Sequence, residues 1–242
     1  MESMPEGAAP KLAGRTWLQL GALRFSVAQF LIALVLLFVT EPFVEQIEYG
    51  KTIEAVLLTL VMLSAVLAIG GGRRALTWAI VLVIPAVVGR WAHHVWPGRI
   101  APEVGLAPGL VFILYVVFHL LRFILRAPRV NSEVLFAGIA TYLMLGLCWT
   151  FAYILVALMV PNSFAFTTGS NAGQSMAGSN CLYFSLITMT TVGYGDIVPV
   201  SPVARMLAMT EAMTGTIYVA VLISRLVALY TSEQPIQRKE KP

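Results

Sequence analysis

Few side chains in this sequence carry groups that do chemistry, and they stand apart from one another. Glu211 is the lone acid in an apolar run from Met206 to Ser224. His93 and His94 lie near Trp91 and Trp96. Neighbours in sequence diverge around a helix, so this pair reads as part of an interfacial belt and not as a metal site. Cys148 and Cys181 are isolated and build neither a disulfide framework nor a metal cage. Neither Glu211 nor His119 has a nucleophile–base set beside it, which argues against a membrane enzyme or a transporter. The main chain offers more, in Thr190-Thr191-Val192-Gly193-Tyr194-Gly195-Asp196. Carbonyls are dipoles without fixed charge, so a cage of them can replace the water shell of a cation and still let it leave. Successive carbonyls face one way only when the backbone alternates between ordinary and left-handed conformations. Gly193 and Gly195 take positive φ without penalty, and Thr191 can add a hydroxyl.

The elements that would position this stretch are membrane spans. Of the 242 residues, 58% are hydrophobic and 12% charged, and the mean hydropathy is +0.82. A soluble domain carries about a quarter charged residues. A disordered chain, a disulfide-rich secreted domain and a nucleic-acid binder are thereby excluded, and the bilayer is the expected partner. Uncharged runs cover 25–40, extendable to 44, then 55–72, 75–89 continuing towards 96, 104–121 and 134–160. A sixth covers 206–224, broken by Glu211. About 20 helical residues cross a hydrocarbon core of ~30 Å, and helix is the form that satisfies its own backbone there. Lys11, Arg15 and Arg24 precede the first run, but no small-residue cleavage site follows, so a retained span is expected over a signal peptide. With Arg73, Arg74, Arg122, Arg126, Arg129, Arg225, Arg238, Lys239 and Lys241 they make twelve basic residues on one side. Lys51, Arg90, Arg99 and Arg205 make four on the other. The positive-inside rule then puts both termini in the cytoplasm of a multi-pass plasma (inner) membrane protein. The polar insert 161–180 falls outside, and the tail 231–242 is too short for a soluble ligand domain.

Asn180 to Thr190 followed by Thr191-Val-Gly-Tyr-Gly-Asp196 resembles the pore loop of the potassium channel family. Tyr183-Phe184-Ser185 before that string and Ile197-Val198-Pro199 after it fit the same pattern, and the resemblance covers roughly residues 134–230. It implies an all-α membrane protein with six transmembrane helices, a re-entrant pore helix and a selectivity-filter loop, arranged as a homotetramer because each chain has one loop. It implies potassium ions in the filter and no organic cofactor. The carbonyls of Thr191, Val192, Gly193 and Tyr194 would line the sites, with the Val192 and Tyr194 side chains pointing away to brace the loop. Gly195, Asp196, Tyr183, Thr188 and Glu211 would support the filter; Tyr183 would hydrogen-bond Asp196, and Thr188 would reach the Tyr194 hydroxyl. Gly215 matches a hinge glycine, and Val219, Ile223 and Val227 follow along a similar face as gate candidates.

Asn180 is the expected N-cap of the pore helix. Glu211 is expected as a buried carboxyl partnering pore-helix hydroxyls such as Thr188 or Thr190; the second reading is a cavity-lining charge that attracts cations. Gly215 is either a hinge or a point of close packing. The first four spans resemble a voltage sensor whose fourth span lacks regularly spaced mid-membrane arginines: Arg122, Arg126 and Arg129 cluster at its cytoplasmic end. The chain thus divides into an N-terminal segment 1–24, a sensor-like domain 25–130, a pore domain 131–230 and a tail 231–242. The function implied is passive potassium conduction without strong voltage gating; the alternative is a non-conducting or regulatory subunit of a heteromeric channel.

Overall fold

The computed structural model describes residues 13–44, 47–69, 73–167, 175–176 and 178–233, with the side chains of α1 from Val27 onward. Lys11, Arg238, Lys239, Lys241, the glycines 70–72 and parts of the polar insert and the tail lie outside the described residues. The elements run α1 (Ala13–Val44), α2 (Gly50–Ala68), α3 (Arg73–Val95), α4 (Glu103–Arg126), α5 (Ser132–Met159), β1 (Phe164–Phe166), α6 (Ser179–Met189), β2 (Ile197–Pro199) and α7 (Pro202–Glu233). Six of the helices are long and apolar enough to cross a membrane. The seventh, α6, has 11 residues and about 16 Å of length, half of what a span needs.

The helix ends follow local chemistry. Pro128 stops α4, whose C-cap Ala127 is extended. Asn131 restarts the chain as the N-cap of α5, its side chain accepting from the Val134 amide at 3.0 Å. The connection is therefore five residues, 127–131. Pro85 sits inside α3 and Pro108 inside α4. Helix α1 starts at Ala13, so residues 13–24 are helical and run without a break into the helix that carries the first span, Val27–Val44.

Lipid removes most of the hydrophobic drive between spans, so close packing has to hold them. One continuous core joins α1 to α5: Phe30 and Leu34, Val61 and Ala65, Ala79 and Ala86, Phe112 and Val116, and Ala137, Ala140 and Met144 are all buried. Helices α3 and α4 touch at their backbones. A Cβ added to Gly105 would stand 2.6 Å from the Arg90 nitrogen, and one added to Gly89 would stand 2.6 Å from the Val104 oxygen. Near the end of α3 predicted to face outward, Arg90 donates to Glu54 of α2. His93 meets the Ile100 carbonyl and His94 the Thr52 hydroxyl, so the two histidines do different things.

Helix α7 buries Glu211, Gly215, Tyr218 and Leu229, which recur along one stripe against α5 and α6. Tyr218 donates to the Gly138 carbonyl of α5 at 2.6 Å. The opposite side of α7 exposes Met206, Met209, Met213, Ile217 and Val221, an apolar face that no part of the same chain covers among the described residues.

Candidate functional site

The loop between α6 and β2 is built on the end of α6. That helix begins one residue before Asn180: Gly178 is the N-cap at φ +50°, and the Asn180 side chain donates to the Ser175 carbonyl instead. The cap is thus two residues earlier than expected, at Gly178, whose positive φ glycine takes without penalty. At the other end the chain turns back on itself. Val192 and Gly193 both donate their amides to the Ile187 carbonyl, at 2.9 and 3.1 Å, and the Thr191 amide donates to Thr188 at 3.0 Å. Thr191, Gly193 and Gly195 have φ of +61°, +51° and +81°. Every second residue is left-handed, and the alternation begins at a threonine. A β-branched residue there is strained by roughly 1–3 kcal/mol, which the bonds to the helix end offset. A Cβ at Gly193 or Gly195 would meet nothing within 4 Å, so these glycines serve the dihedral and not the space.

The outer end of the loop is held by a segment of the polar insert. Strand β1 pairs antiparallel with β2, Phe164 opposite Pro199, Ala165 opposite Val198 and Phe166 opposite Ile197. Thr167 follows, its amide donating to the Asp196 carbonyl at 2.8 Å and its hydroxyl to the Gly195 carbonyl at 2.5 Å. The Asp196 carboxylate accepts from the Tyr183 hydroxyl at 2.7 Å and from the Ile197 amide at 3.1 Å.

Behind α6 lies a buried polar node. Glu211 is fully buried. Its carboxyl accepts from Ser185 of α6 at 2.6 Å and from Tyr153 of α5. Ser185 also lies 2.8 Å from the Gly146 carbonyl. The expected partners Thr188 and Thr190 are not used: Thr190 bonds back to Leu186 of its own helix. The reason is helical phase, since Ser185 is on the side of α6 that faces α7. Full burial also removes the cavity-lining role for this carboxyl. Tyr153, Phe164 and Phe184 pack edge to face around the node, with ring centroids 4.9 to 5.7 Å apart. One turn further along α7, a Cβ on Gly215 would stand 2.4 Å from the Met189 carbonyl oxygen, so the glycine lets α7 touch the end of α6.

Thr191, Val192, Gly193, Tyr194 and Gly195 are all exposed along one chain, Tyr194 to 73%. Val192 and Tyr194 are therefore left largely uncovered by the described residues of the same chain, among which Thr188 makes no hydrogen bond to Tyr194. Val219, Ile223 and Val227 are exposed as well, on the flank of α7 away from α5. Near the foot of α7, Arg225 donates to the carbonyls of Leu125 and Ala127, both at 3.0 Å. Arg122 and Arg126 are exposed at the last turns of α4.

Sequence reasoning missed Tyr153, Ser185, Thr167 and Arg225 as members of this site. A signal existed for Tyr153, since a phenol in the middle of an uncharged run needs a partner. Thr167 carries no such signal, because one hydroxyl among the Ser, Thr and Asn of a polar insert looks like any other.

Residues 141–232 match the ion channel family. The chain is 44% identical over 55 residues to two-pore potassium channel 1 of Arabidopsis thaliana, covering 23% of this chain and 15% of the relative. It is 38% identical over 80 residues to protein LctB of Bacillus caldotenax, covering 32% and 59%. Over 53 residues it is 38% identical to the inward rectifier potassium channel Kirbac3.1 of Paramagnetospirillum magnetotacticum, covering 22% and 18%. Each match spans less than two thirds of the relative's own length. No solved structure matches the chain. Residues 141–232 thus match the ion channel family's model within an all-α membrane protein, and parts of the chain are similar in sequence to potassium channels.

Proposed function

We propose that the chain forms a homotetrameric pore that conducts potassium passively across the membrane. The observation that carries this is the left-handed backbone at Thr191, Gly193 and Gly195, set on the C-terminal end of a half-length helix and exposed along one edge of the chain. Irregular backbone at membrane depth is tolerated only where protein buries it or where it lines water. Four copies around an axis satisfy both conditions. The carbonyls of Thr191, Val192, Gly193 and Tyr194 then take the place of the ion's water shell, and Val192 and Tyr194 pack against the neighbouring copy. The C-terminal end of α6 contributes about half a negative charge towards a cation on the axis. Asp196, fourfold repeated, concentrates cations at the outer mouth.

The same reading gives weak voltage dependence. A steep sensor moves 3–4 charges per subunit, each worth about 2.3 kcal/mol per 100 mV. The middle of α4 is uncharged, and its arginines lie at the last turns. Arg90 of α3 is paired with Glu54.

Purified chain in liposomes, loaded with potassium, rubidium, sodium or lithium, tests the proposal. Flux of potassium and rubidium well above sodium and lithium is expected, with a shallow conductance–voltage curve. Equal sodium flux, or a particle without fourfold symmetry, would refute it. A fourfold particle that conducts nothing alone but acquires flux with a second pore-forming chain would identify a regulatory subunit instead.

A further inference from the structure

We infer that Thr167 is a positioning residue for the outer end of the filter, so that a segment of the polar insert, and not α6 alone, holds the peptide groups of Gly195 and Asp196 that follow the ion-lining carbonyls. This rests on the proposed conduction reading and adds to it a residue outside the filter sequence. Thr167 reaches both of the last two peptide groups. Its hydroxyl donates to the Gly195 carbonyl at 2.5 Å, and its amide donates to the Asp196 carbonyl at 2.8 Å. Gly195 needs such a hold more than its neighbours do. It lies at φ +81°, it has no side chain of its own to anchor it, and nothing among the described residues lies within 4 Å of where its Cβ would be. Val192 and Gly193, by contrast, are tied to Ile187 on the helix. The inner half of the loop is thus fastened to α6, and the outer half to Thr167 after β1 as well as, through the Asp196 carboxylate, to Tyr183 of α6.

The fastening is itself rigid. Pairing of β1 with β2 brings Thr167 into register one residue beyond the Phe166–Ile197 pair. Phe164 of β1 packs edge to face on Tyr153 and Phe184. The same aromatic cluster surrounds the Glu211 node, so the strand is seated on α5 and α6 before it reaches the filter. A freed Gly195 peptide can rotate, because glycine has access to both signs of φ. Rotation would turn its oxygen and the attached Asp196 away from their places at the mouth.

The test compares Thr167→Val with Thr167→Ser. Valine keeps the shape and the strand preference and removes only the hydroxyl; serine keeps the hydroxyl. In Thr167→Val, current decay during sustained opening is expected to be about 2- to 10-fold faster, the factor that loss of one neutral hydrogen bond gives. Raising external potassium should shrink that excess, since an occupied outer site holds its oxygens in place. Thr167→Ser should decay like the wild type. Wild-type decay in Thr167→Val, serine decaying as fast as valine, or a valine effect indifferent to external potassium would each overturn the inference. A Thr167→Val chain that no longer assembles would overturn it too, because the role would then be one of folding. The comparison is repeated as potassium-dependent thermal stabilisation of the purified protein, which reads the outer oxygens without conduction. A failure of the conduction reading therefore leaves this test standing.

Discussion

The Glu211 node sets a measurable coupling between three helices. Its carboxyl lies at zero exposure and accepts one hydroxyl from α5, Tyr153, and one from α6, Ser185. Removing either hydroxyl leaves one carboxyl oxygen short of a partner where no water reaches it. Leaving a buried polar group unsatisfied costs about 1–3 kcal/mol. Tyr153→Phe and Ser185→Ala are each expected to cost that much per chain. Glu211→Ala orphans the Tyr153 hydroxyl and opens a void, while Ser185 keeps the Gly146 carbonyl at 2.8 Å, so about 1–3 kcal/mol plus the cost of the void is expected. Because the three groups form one network, the effects should not add. Combining Glu211→Ala with Tyr153→Phe removes a donor that has already lost its acceptor, and a coupling of at least ~1 kcal/mol should appear. Reversible unfolding of the purified protein in mixed detergent measures each term. Glu211→Gln separates structure from conduction. It keeps the shape and one acceptor, so assembly and unit conductance should persist with only a modest loss of stability. Additivity of the pair within about 0.5 kcal/mol would refute the network. So would a Glu211→Gln protein of unchanged stability whose conductance collapses, since that result belongs to a charge that faces the ion.

Three further outcomes follow from close contacts. Gly215→Ala puts a methyl group 2.4 Å from the Met189 carbonyl oxygen, so it should loosen α7 from α6 and lower both stability and ion selectivity; a purely kinetic change in opening, with stability intact, would favour a hinge instead. Gly105→Ala collides with the Arg90 backbone at 2.6 Å. It should destabilise the α3–α4 pair in a thermal melt while leaving the potassium-over-sodium flux ratio unchanged. Arg225→Gln weakens two bonds from the foot of α7 to the end of α4. A hydrogen bond from a charged group contributes about 1.5–3 kcal/mol, so the open–closed equilibrium constant from single-channel records should shift by about tenfold or more; an unchanged equilibrium would show that this contact does not bear on gating.

Much of this architecture could be read from the sequence because the bilayer leaves so few options. Charges at residues 24, 41, 51, 54, 73, 74, 90 and 122 bound runs that have no alternative to helix. The alternating glycines announced their own backbone. What escaped was set by contacts distant in sequence or by strain. Tyr153 and Glu211 are 58 residues apart and Arg225 and Ala127 are 98 apart, so no local pattern joins them. Thr188 and Thr190 looked as able as Ser185 to meet Glu211, since the sequence does not give the rotation of α6 against α7. Thr191 breaks the rule that positive φ belongs to glycine, and only the bonds closing the loop onto α6 explain it. The strand Phe164–Phe166 is three residues long and has no period to detect.

The five-residue link at 127–131 bears on how such a protein comes to be made. Fully extended it reaches about 18 Å, too little to carry α5 past an adjoining copy. The first four helices accordingly settle against the α5 of their own polypeptide, with which they share packed side chains. Under the proposed fourfold assembly, each newly synthesised chain can finish this part of its folding alone, before it meets another copy.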